Sequence, residues 1–358
     1  MRRLARPLAI VAVVTLAMAV AGCGADADDA GDAGSAGGDA DAGQPIVPEG
    51  FTVEVVADGL DGPTQLAVLP DGRLAVAQLN GREGAATGQV VALDPDGGAP
   101  EVLVEGLVTP TGVAVLDDEL WVMERRALSR GPVTGGERAV VLAELPFNGR
   151  SEGALTVLDG TLLYDTSGEL VGDEVTDGSG VLWSLAPPAP GGAVEPEVVA
   201  TGFKHAYART VDGDGTIWQT EVVDGPFDGR QASDELVAVV PGTDGGWPRC
   251  IDDRVPVADN GGTDAACATT ARPHALFGEG ATPTAVAVAP WADGELLVAL
   301  WNDGVVVRLP RAGGDGPVEA EPFLTGIDHP QDLLVDGDRL LVTDHGGGRV
   351  LAVTADRG

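Results

Sequence analysis

A paired-strand motif repeats along most of this chain. Each copy has a Gly- or Pro-containing turn, a strand of alternating apolar residues, an Asp-Gly-like hairpin and a second strand. The six copies run from Gly59 to Ala77, Gly106 to Val122, Glu152 to Thr166, Gly202 to Glu221, Thr282 to Val298 and Gly326 to Asp344. Further strands between the copies bring each unit to about four strands, at a spacing typical of propeller blades. The repeat predicts an all-β, six-bladed β-propeller with four-stranded antiparallel blades.

Other fold classes would leave signals that this sequence lacks. Helical periodicity is almost absent, and no Gly-x-Gly-x-x-Gly opens a helix after a strand, which argues against a nucleotide-binding α/β fold. No Gly-x-Ser-x-Gly marks a Ser-His-Asp hydrolase. None of the four histidines pairs with another at zinc-motif spacing. A chain of 358 residues with 53 glycines and 25 prolines is suited to one large all-β domain.

The N-terminus has the features of an export signal. Three arginines, at positions 2, 3 and 6, precede an apolar run from Leu8 to Val20 that is too short for a lasting transmembrane helix. Val20-Ala21-Gly22-Cys23 resembles the lipobox of bacterial lipoproteins, in which Cys23 is diacylated and becomes the new N-terminus. An ordinary cleaved signal with a chance cysteine is the alternative. We expect residues 1–22 to be a lipoprotein signal peptide, and the protein to be lipid-anchored in a bacterial cell envelope, on the outer face of the cytoplasmic membrane.

Composition places a linker after the signal and restricts the partners. Residues 23–47 are rich in Asp, Ala and Gly and have few large apolar side chains, so they predict a disordered tether before a propeller domain at 48–358. The chain carries 56 acidic residues against 21 basic ones, a formal net charge of −35. Such a field repels nucleic acid and anionic lipid, so we expect no nucleic-acid partner and membrane contact only through the lipid anchor. An acidic surface kept for solubility is the simpler explanation of the charge.

Export also places the cysteines in an oxidising compartment. Cys250 and Cys267 are the only cysteines besides Cys23, and a Gly/Asp-rich segment separates them. This arrangement favours a disulfide over a metal or redox site. The pair lies in the long gap between the fourth and fifth copies of the repeat, which predicts an insertion there.

The ends of the second strands define a candidate mouth. If each copy is one blade, these ends reach the same rim, at Gln78, Glu124, Thr166, Glu221, Leu300 and Asp344. Carboxylate, amide and hydroxyl oxygens suit a hard cation such as calcium, so Gln78, Glu124, Glu221 and Asp344 are candidate mouth residues. The alternative is that strand ends near turns are simply solvated.

The stretch from Thr201 to Cys250 resembles the signature of the glucose/sorbosone dehydrogenase family. The residues that carry this resemblance are Trp218-Gln219-Thr220-Glu221, Asp224-Gly225-Pro226, Ser233-Asp234-Glu235-Leu236 and Gly245-Gly246-Trp247-Pro248. Pro48-Glu49-Gly50-Phe51 is similar to the usual opening of the family. Family members are six-bladed propellers that carry pyrroloquinoline quinone (PQQ) and calcium and oxidise sugars or alcohols.

The resemblance implies calcium sites and a cofactor site. Backbone carbonyls of Gly225 and Pro226 would bind a catalytic calcium, and the Glu235 carboxylate with the Gly245 carbonyl would bind a structural one. The positions that match the PQQ-binding residues of the family are occupied by Lys204, His205, Asn302, His329 and Gln331. Of these, we assign Lys204, His205 and His329 to the cofactor.

The sequence departs from the family at the catalytic base. The histidine of the family follows a Leu-Pro, but Leu145-Pro146-Phe147-Asn148-Gly149-Arg150-Ser151-Glu152 contains no histidine. Glu152 is the candidate substitute base. Most basic residues that hold PQQ in the family are also replaced. Three functions stay open: a PQQ-dependent sugar or alcohol dehydrogenase, a non-catalytic propeller that binds a sugar-like small molecule or an envelope component, and a calcium-dependent lactonase-like hydrolase.

Overall fold

The computed structural model describes residues 43–94, 98–151, 153–189 and 192–356. The predicted signal peptide, the predicted acylation site Cys23, most of the predicted tether and the candidate base Glu152 lie outside the described residues. The last residues assigned to the tether do contact the domain, because Ile46 and Thr325 exchange two backbone hydrogen bonds of 2.9 and 3.0 Å. Within the described ranges, no helix combines the length and the apolar character that a bilayer crossing requires.

Six four-stranded antiparallel sheets confirm the predicted propeller. The first strand of the chain, β1 (Phe51–Ala57), belongs to the last blade. Blade one contains β2 (Pro63–Val68), β3 (Leu74–Gln78), β4 (Gly88–Leu93) and β5 (Glu101–Leu107). Blade two contains β6 (Gly112–Leu116), β7 (Glu119–Glu124), β8 (Ala127–Pro132) and β9 (Ala139–Leu142). Blade three contains β10 (Thr156–Leu158), β11 (Thr161–Thr166), β14 (Val181–Leu185) and β15 (Glu197–Thr201), with a small hairpin formed by β12 (Leu170–Val171) and β13 (Glu174–Val175).

The other three blades follow the same order from the inside outwards. Blade four contains β16 (Arg209–Val211), β17 (Ile217–Glu221), β20 (Glu235–Val239) and β23 (Pro273–Leu276). Blade five contains β24 (Pro283–Val288), β25 (Glu295–Leu300), β26 (Val305–Pro310) and β27 (Glu321–Leu324). Blade six contains β28 (Pro330–Asp336), β29 (Arg339–Asp344) and β30 (Arg349–Ala355), and β1 pairs with β30 as its outermost strand.

The predicted insertion lies inside blade four. It adds two hairpins, β18 (Pro226–Phe227) with β19 (Arg230–Gln231) and β21 (Cys250–Ile251) with β22 (Val255–Pro256), and two short helices, a 3-10 turn at Ala258–Asn260 and α1 (Asp264–Cys267). Cys250 and Cys267 form a disulfide, which confirms that prediction. His274 also falls in the long gap between the fourth and fifth copies, which predicts a place in the insertion, but it lies on β23, the outermost strand of the blade.

The core is divided among the interfaces between blades. Six main hydrophobic clusters each join two neighbouring blades; Leu296, Val298 and Trp218, for example, belong to the cluster between blades five and four. A middle strand of a blade is therefore buried on both faces, which explains why β3 reads as the near-continuous apolar run Leu74-Ala75-Val76-Ala77. The innermost strands surround a central channel, where six segments, one from each blade, line a cavity of about 400 Å³.

Candidate functional site

Three loops of blades two to four meet at one end of the propeller, which we call the upper face. It is the end at which the innermost strands begin and the second strands finish, as the pairing of Pro63 with Gln78 and of Pro330 with Asp344 shows. The loops are residues 145–151, which lead into blade three, residues 202–208, which lead into β16, and residues 222–225, which follow β17.

Asp224 joins two basic residues of this region, Arg150 and Lys204. Its carboxylate accepts hydrogen bonds from Arg150 at 3.0 and 2.5 Å and from the Lys204 ammonium at 2.8 Å. Lys204 also donates to the backbone carbonyl of Asp224. Burial by itself would raise the pKa of Asp224, but the hydrogen bonds from Arg150 and Lys204 outweigh it and lower the pKa. Asp224 is therefore a carboxylate at neutral pH and neutralises one of the two cations.

His205 lies beneath this ion cluster and is only 2% exposed. Its Nδ1 lies 2.9 Å from the Ser167 hydroxyl, and its ring lies 5.3 Å from that of Tyr207. Burial, with a smaller contribution from the positive charge of Arg150, lowers the pKa of His205 to about 3. His205 is thus a neutral, buried group. The neighbouring Tyr207, of blade four, accepts a hydrogen bond on its hydroxyl from Gln331 of blade six, so two non-adjacent blades are joined across the axis.

Glu221 and Glu235 form a buried carboxylate pair on neighbouring strands. They are register partners on β17 and β20 and are 3% and 7% exposed. Glu221 Oε1 accepts the backbone N–H groups of Lys204 and His205, whereas Glu221 Oε2 is buried with no hydrogen-bond partner among the described residues. Burial raises the pKa of Glu221 to about 8, and burial with the nearby charge of Glu221 raises the pKa of Glu235 well above its usual range. Two uncompensated carboxylates would gain from a shared cation.

The pair borders a cavity of about 10 Å³, close to the space that one water molecule or ion needs. Gly202, Gly245 and Trp247 are among the other residues around it. A Cβ atom on Gly245 would lie 2.6 Å from the Gly202 carbonyl oxygen, so this position requires glycine. Gly225 has φ +98°, and a Cβ there would lie 3.3 Å from Lys204 Nζ, while Pro226 begins β18. The Gly225-Pro226 segment therefore lies beside the ion cluster.

The other predicted mouth residues each bind the loop that enters their own blade. Gln78 accepts the backbone N–H of Asp61 at 3.1 Å and Glu124 that of Val108 at 2.8 Å. Asp344 accepts the N–H of Asp328 at 2.8 Å and pairs with Arg349 at 2.7 Å. The structure thus brings Glu221 next to Glu235, but among the described residues no three His, Cys, Asp or Glu side chains form a metal-binding group. Any further ligands of a cation would be backbone carbonyls or water.

His329 lies in a separate cluster between blades five and six. Its Nδ1 is 2.5 Å from an oxygen of Asp328, and its ring is 4.7 Å from that of Trp301. The Trp301 ring is equally close to that of His345. His329 has φ +58°, a conformation that β-carbon-bearing residues rarely adopt. Asn302 donates to the Gly280 carbonyl. Of the residues assigned to a cofactor, Lys204 and His205 are adjacent and His329 is held by other partners.

Three residues of the site, Asp224, Asn148 and Arg125, were assigned no role from the sequence. Asp224 directly precedes Gly225-Pro226, and that position was a usable signal. Asn148 donates to the carbonyls of Gly168 and Lys204 at 3.0 and 3.4 Å, and Arg125 lies 4.5 Å from the Phe147 ring centroid. Both contacts join residues far apart in sequence, which no local pattern predicts.

Solved structures with this fold include several sugar-oxidising proteins. The holo form of the PQQ domain of pyranose dehydrogenase from Coprinopsis cinerea has 18% identity and a TM-score of 0.72, over 87% of this chain and 97% of that one. The PQQ-bound aldose sugar dehydrogenase from Streptomyces coelicolor has 20% identity and a TM-score of 0.65, over 86% and 99%. The calcium structure of a family AA12 carbohydrate-active enzyme from Trichoderma reesei has 17% identity and a TM-score of 0.69, over 87% and 97%.

No protein-family profile matches the sequence, and no curated protein matches it either. At these identities the likeness establishes the fold. The six-bladed architecture is therefore common to this chain and to PQQ-dependent sugar dehydrogenases.

Proposed function

We propose that this protein is an exported, lipid-anchored propeller that binds calcium in blade four and a sugar-like small molecule on its upper face, without PQQ-dependent catalysis. The observation that carries the calcium proposal is the buried pair Glu221 and Glu235, with its unpartnered Oε2. Cys23, with the preceding small residues, supports the anchor. A pyranose dehydrogenase and an aldose sugar dehydrogenase are among the structural relatives, which supports a sugar-like ligand.

The blade-four residues fit a calcium ion. Calcium prefers carboxylate and carbonyl oxygens, and Glu221 and Glu235 supply carboxylates at one small cavity. Gly245 lies at the same cavity, as the resemblance to the dehydrogenases implies, and Glu221 is an additional ligand that the resemblance did not assign to this ion. A bound cation would offset the repulsion between the two carboxylates, which otherwise favours their protonated forms. Gly225 and Pro226 remain the proposed ligands of a second calcium.

The residues proposed to hold PQQ do not fit a tricarboxylate. Lys204 is paired with Asp224, and His205 is buried and neutral. His329 is paired with Asp328, and Gln331 is buried against Tyr207. Among these assigned residues, the three ligand carboxylates would therefore find one cation, Lys204, which already pairs with Asp224, and a second carboxylate at Asp328. We derive no catalytic step through this cofactor.

The described part of the 145–151 loop also lacks a proton acceptor for sugar oxidation. Ser151 is 8% exposed and donates to Glu83 at 3.1 Å, and Arg150 is a cation held by Asp224. Neither group is a base near neutral pH. Glu152 stays the candidate substitute, and it lies outside the described residues.

A dehydrogenase with a substitute base is the second candidate, and the fold shared with PQQ-bound sugar dehydrogenases favours it. In that case the protein with PQQ and calcium bound would oxidise sugars, and Glu152 would be required for this activity. A lactonase-like hydrolase is the third candidate, in which a calcium ion at the upper face would polarise a lactone carbonyl.

Calorimetry and activity assays on the full chain separate these candidates. We expect calcium to bind the wild type and to bind Glu235→Gln at least about tenfold more weakly, because one ligand charge is lost. Glu101→Gln, on the exposed edge strand β5, is the matched control and should bind as the wild type does.

The activity arm uses calcium with added PQQ, a reducible dye and a panel of aldoses. We expect no dye reduction above the blank. Turnover that Glu152→Ala abolishes would establish the dehydrogenase and overturn our proposal. Calcium-dependent lactone hydrolysis would establish the third candidate. Equal calcium affinity of the wild type and Glu235→Gln would refute the proposed cation site.

A further inference from the structure

A group of cations borders the 145–151 loop, although the chain is strongly acidic. Arg150 lies in the loop, Arg125 lies over Phe147 at 4.5 Å from the ring centroid, and the Lys204 carbonyl accepts a hydrogen bond from Asn148. Lys204 is the only lysine in a chain with 21 basic and 56 acidic residues. We call Arg125, Arg150 and Lys204 the basic arc. The basic arc lies on the upper face beside the Gly225-Pro226 segment, which suggests that it binds an anionic ligand.

The positive charges of the basic arc are not fully balanced by neighbouring carboxylates. Arg150 and Lys204 share Asp224, at 2.5 and 2.8 Å. Arg125 forms no ion pair with the described residues, and its buried Nε has no hydrogen-bond partner among them. Glu83 is another acid at this loop and accepts a hydrogen bond from Ser151 at 3.1 Å, and the exposed Glu144 pairs with Arg126, whose Nε donates to the Leu145 carbonyl. Among the described residues at the loop, four cations and three carboxylates leave one positive charge in excess.

The basic arc is accessible but partly shielded from water. The side chains of Arg150 and Lys204 are 40% and 20% exposed, and Arg125 and Phe147 are half-buried. In such a setting a charge pair is screened less than on an open surface. A planar guanidinium stacked on an aromatic ring is already oriented, so it loses little entropy when it binds a carboxylate.

We propose that the basic arc binds the carboxylate of an acidic sugar, that is, a hexuronate or a similar sugar acid. This inference rests on the proposed function, since it names the class of sugar-like ligand that the upper face takes. Arg125 binds the carboxylate, with Arg150 and Lys204 beside it. The Asp224 and Glu83 carboxylates offer acceptors for the ligand hydroxyl groups.

Charge balance selects a ligand with one negative charge. One carboxylate neutralises the excess charge of the basic arc, whereas a dianionic phosphate would exceed it. The whole molecule adds to this selection, because its net charge of −35 repels multiply charged anions. A neutral sugar leaves Arg125 without a charged partner and gains only the hydroxyl contacts.

Titration calorimetry of the full chain in calcium-free buffer tests the proposal, so that no calcium at Gly225 and Pro226 changes the charge balance of the basic arc. The probes are D-glucuronate, D-glucose and inorganic phosphate. We expect glucuronate to bind about tenfold or more tightly than glucose, and Arg125→Gln to remove about that factor, because a charge-assisted hydrogen bond is lost. Affinity should also fall as the salt concentration rises. Arg308→Gln is the control, because Arg308 lies on β26 of blade five and pairs only with the exposed Glu321 at 3.4 Å.

Each of the other outcomes refutes one specific part of the proposal. Equal binding of glucose and glucuronate, or an unchanged affinity in Arg125→Gln with a native circular dichroism spectrum, refutes the role of the basic arc and leaves sugar binding intact. Phosphate binding as tight as that of glucuronate refutes the sugar-acid assignment. Binding of neither sugar refutes the sugar-binding part of the proposed function as well, while the calcium titration of Glu235→Gln still reports separately on blade four.

Discussion

Asp332 shows what burial does to a carboxylate in the central channel. It lies on β28 of blade six, and its Oδ2 accepts the backbone N–H of Leu66 in blade one at 2.8 Å. Burial raises its pKa to about 7, against a lowering contribution from the backbone N–H groups of Leu66 and Leu333. The folded protein therefore binds a proton here at pH values at which the unfolded chain does not.

This shift predicts a pH-dependent contribution to stability. Because its pKa is raised, the protonated Asp332 side chain contributes to the unfolding free energy, and this contribution is fully present below about pH 4, the ordinary pKa of Asp. It is lost as the pH rises through about 7. Asp332→Asn imitates the protonated form, so it should flatten the fall in unfolding free energy between pH 4 and 7. At pH 8 the variant should equal or exceed the wild type. Denaturant titrations at several pH values measure this.

Asp293→Asn, at an exposed turn, is the control and should follow the wild-type pH profile. Since other buried acids titrate in the same range, the difference between Asp332→Asn and the wild type is the informative quantity. A variant that is clearly less stable than the wild type at pH 8 would show that the ionised carboxylate is needed, contrary to this account.

At the residue scale the sequence predicted chemical types better than partners. Glu235 and Gly245 were assigned from the resemblance to the dehydrogenase family, and they do border one cavity. Glu221 was assigned to the rim from its place in the repeat, whereas its contact with Glu235 depends on the register of β17 and β20. Arg125 stacks on Phe147 through tertiary packing alone. Local spacing contains no information about such pairs.

Arg209 and Asp165 join two blades by a buried ion pair. Arg209 is on β16 of blade four, Asp165 is on β11 of blade three, and their 2.8 Å contact is 0% and 1% exposed. Arg209 also donates to the carbonyls of Ala154 and Leu163 in blade three and of Ala206 in blade four. The pair therefore holds the innermost strand of blade four against blade three.

Removal of the arginine should be costly. Arg209→Met leaves a buried carboxylate without its cation, and we expect a loss of about 3–5 kcal/mol in unfolding free energy. The double variant Arg209→Met with Asp165→Leu should lose less than the single one, because no uncompensated charge remains. Arg308→Met should lose less than about 1 kcal/mol, since its ion pair is exposed. A double variant no more stable than the single one would contradict a charge-based cost.

At the element scale the repeat predicted the blades because their middle strands are buried on both faces and contain few polar residues, as in Leu296-Leu297-Val298-Ala299. It did not predict the outermost strand of blade six. β1 lies before the first copy of the motif, and its partner β30 lies after the last one. Nor did it separate β23 from the insertion, since that strand follows the disulfide segment and has only four residues.

The propeller domain is a ring of six interfaces between blades, closed by the pairing of its first and last strands. Each main hydrophobic cluster joins two blades, so every blade depends on both neighbours. Closure depends on β1, which pairs with β30 from Phe51 with Ala355 to Ala57 with Val350. No disulfide among the described residues crosses the junction between β1 and β30. The packing of β1 therefore sets how cooperatively the ring unfolds.

Phe51 is the side chain through which closure is best tested. Its ring lies 5.0 Å from those of Trp291 and Phe323 in blade five, both edge to face. We expect Phe51→Ala to lower the unfolding free energy by about 2–4 kcal/mol, since the ring is half-buried and loses two aromatic contacts. Val55→Ala, on the same strand but 53% exposed, should cost less than about 1 kcal/mol. Because every blade is stabilised by both of its neighbours, both variants should unfold in one transition whose denaturant slope matches that of the wild type. A separate early transition in Phe51→Ala, confined to blade six, would show that the ring opens locally, and that closure by β1 does not couple the blades.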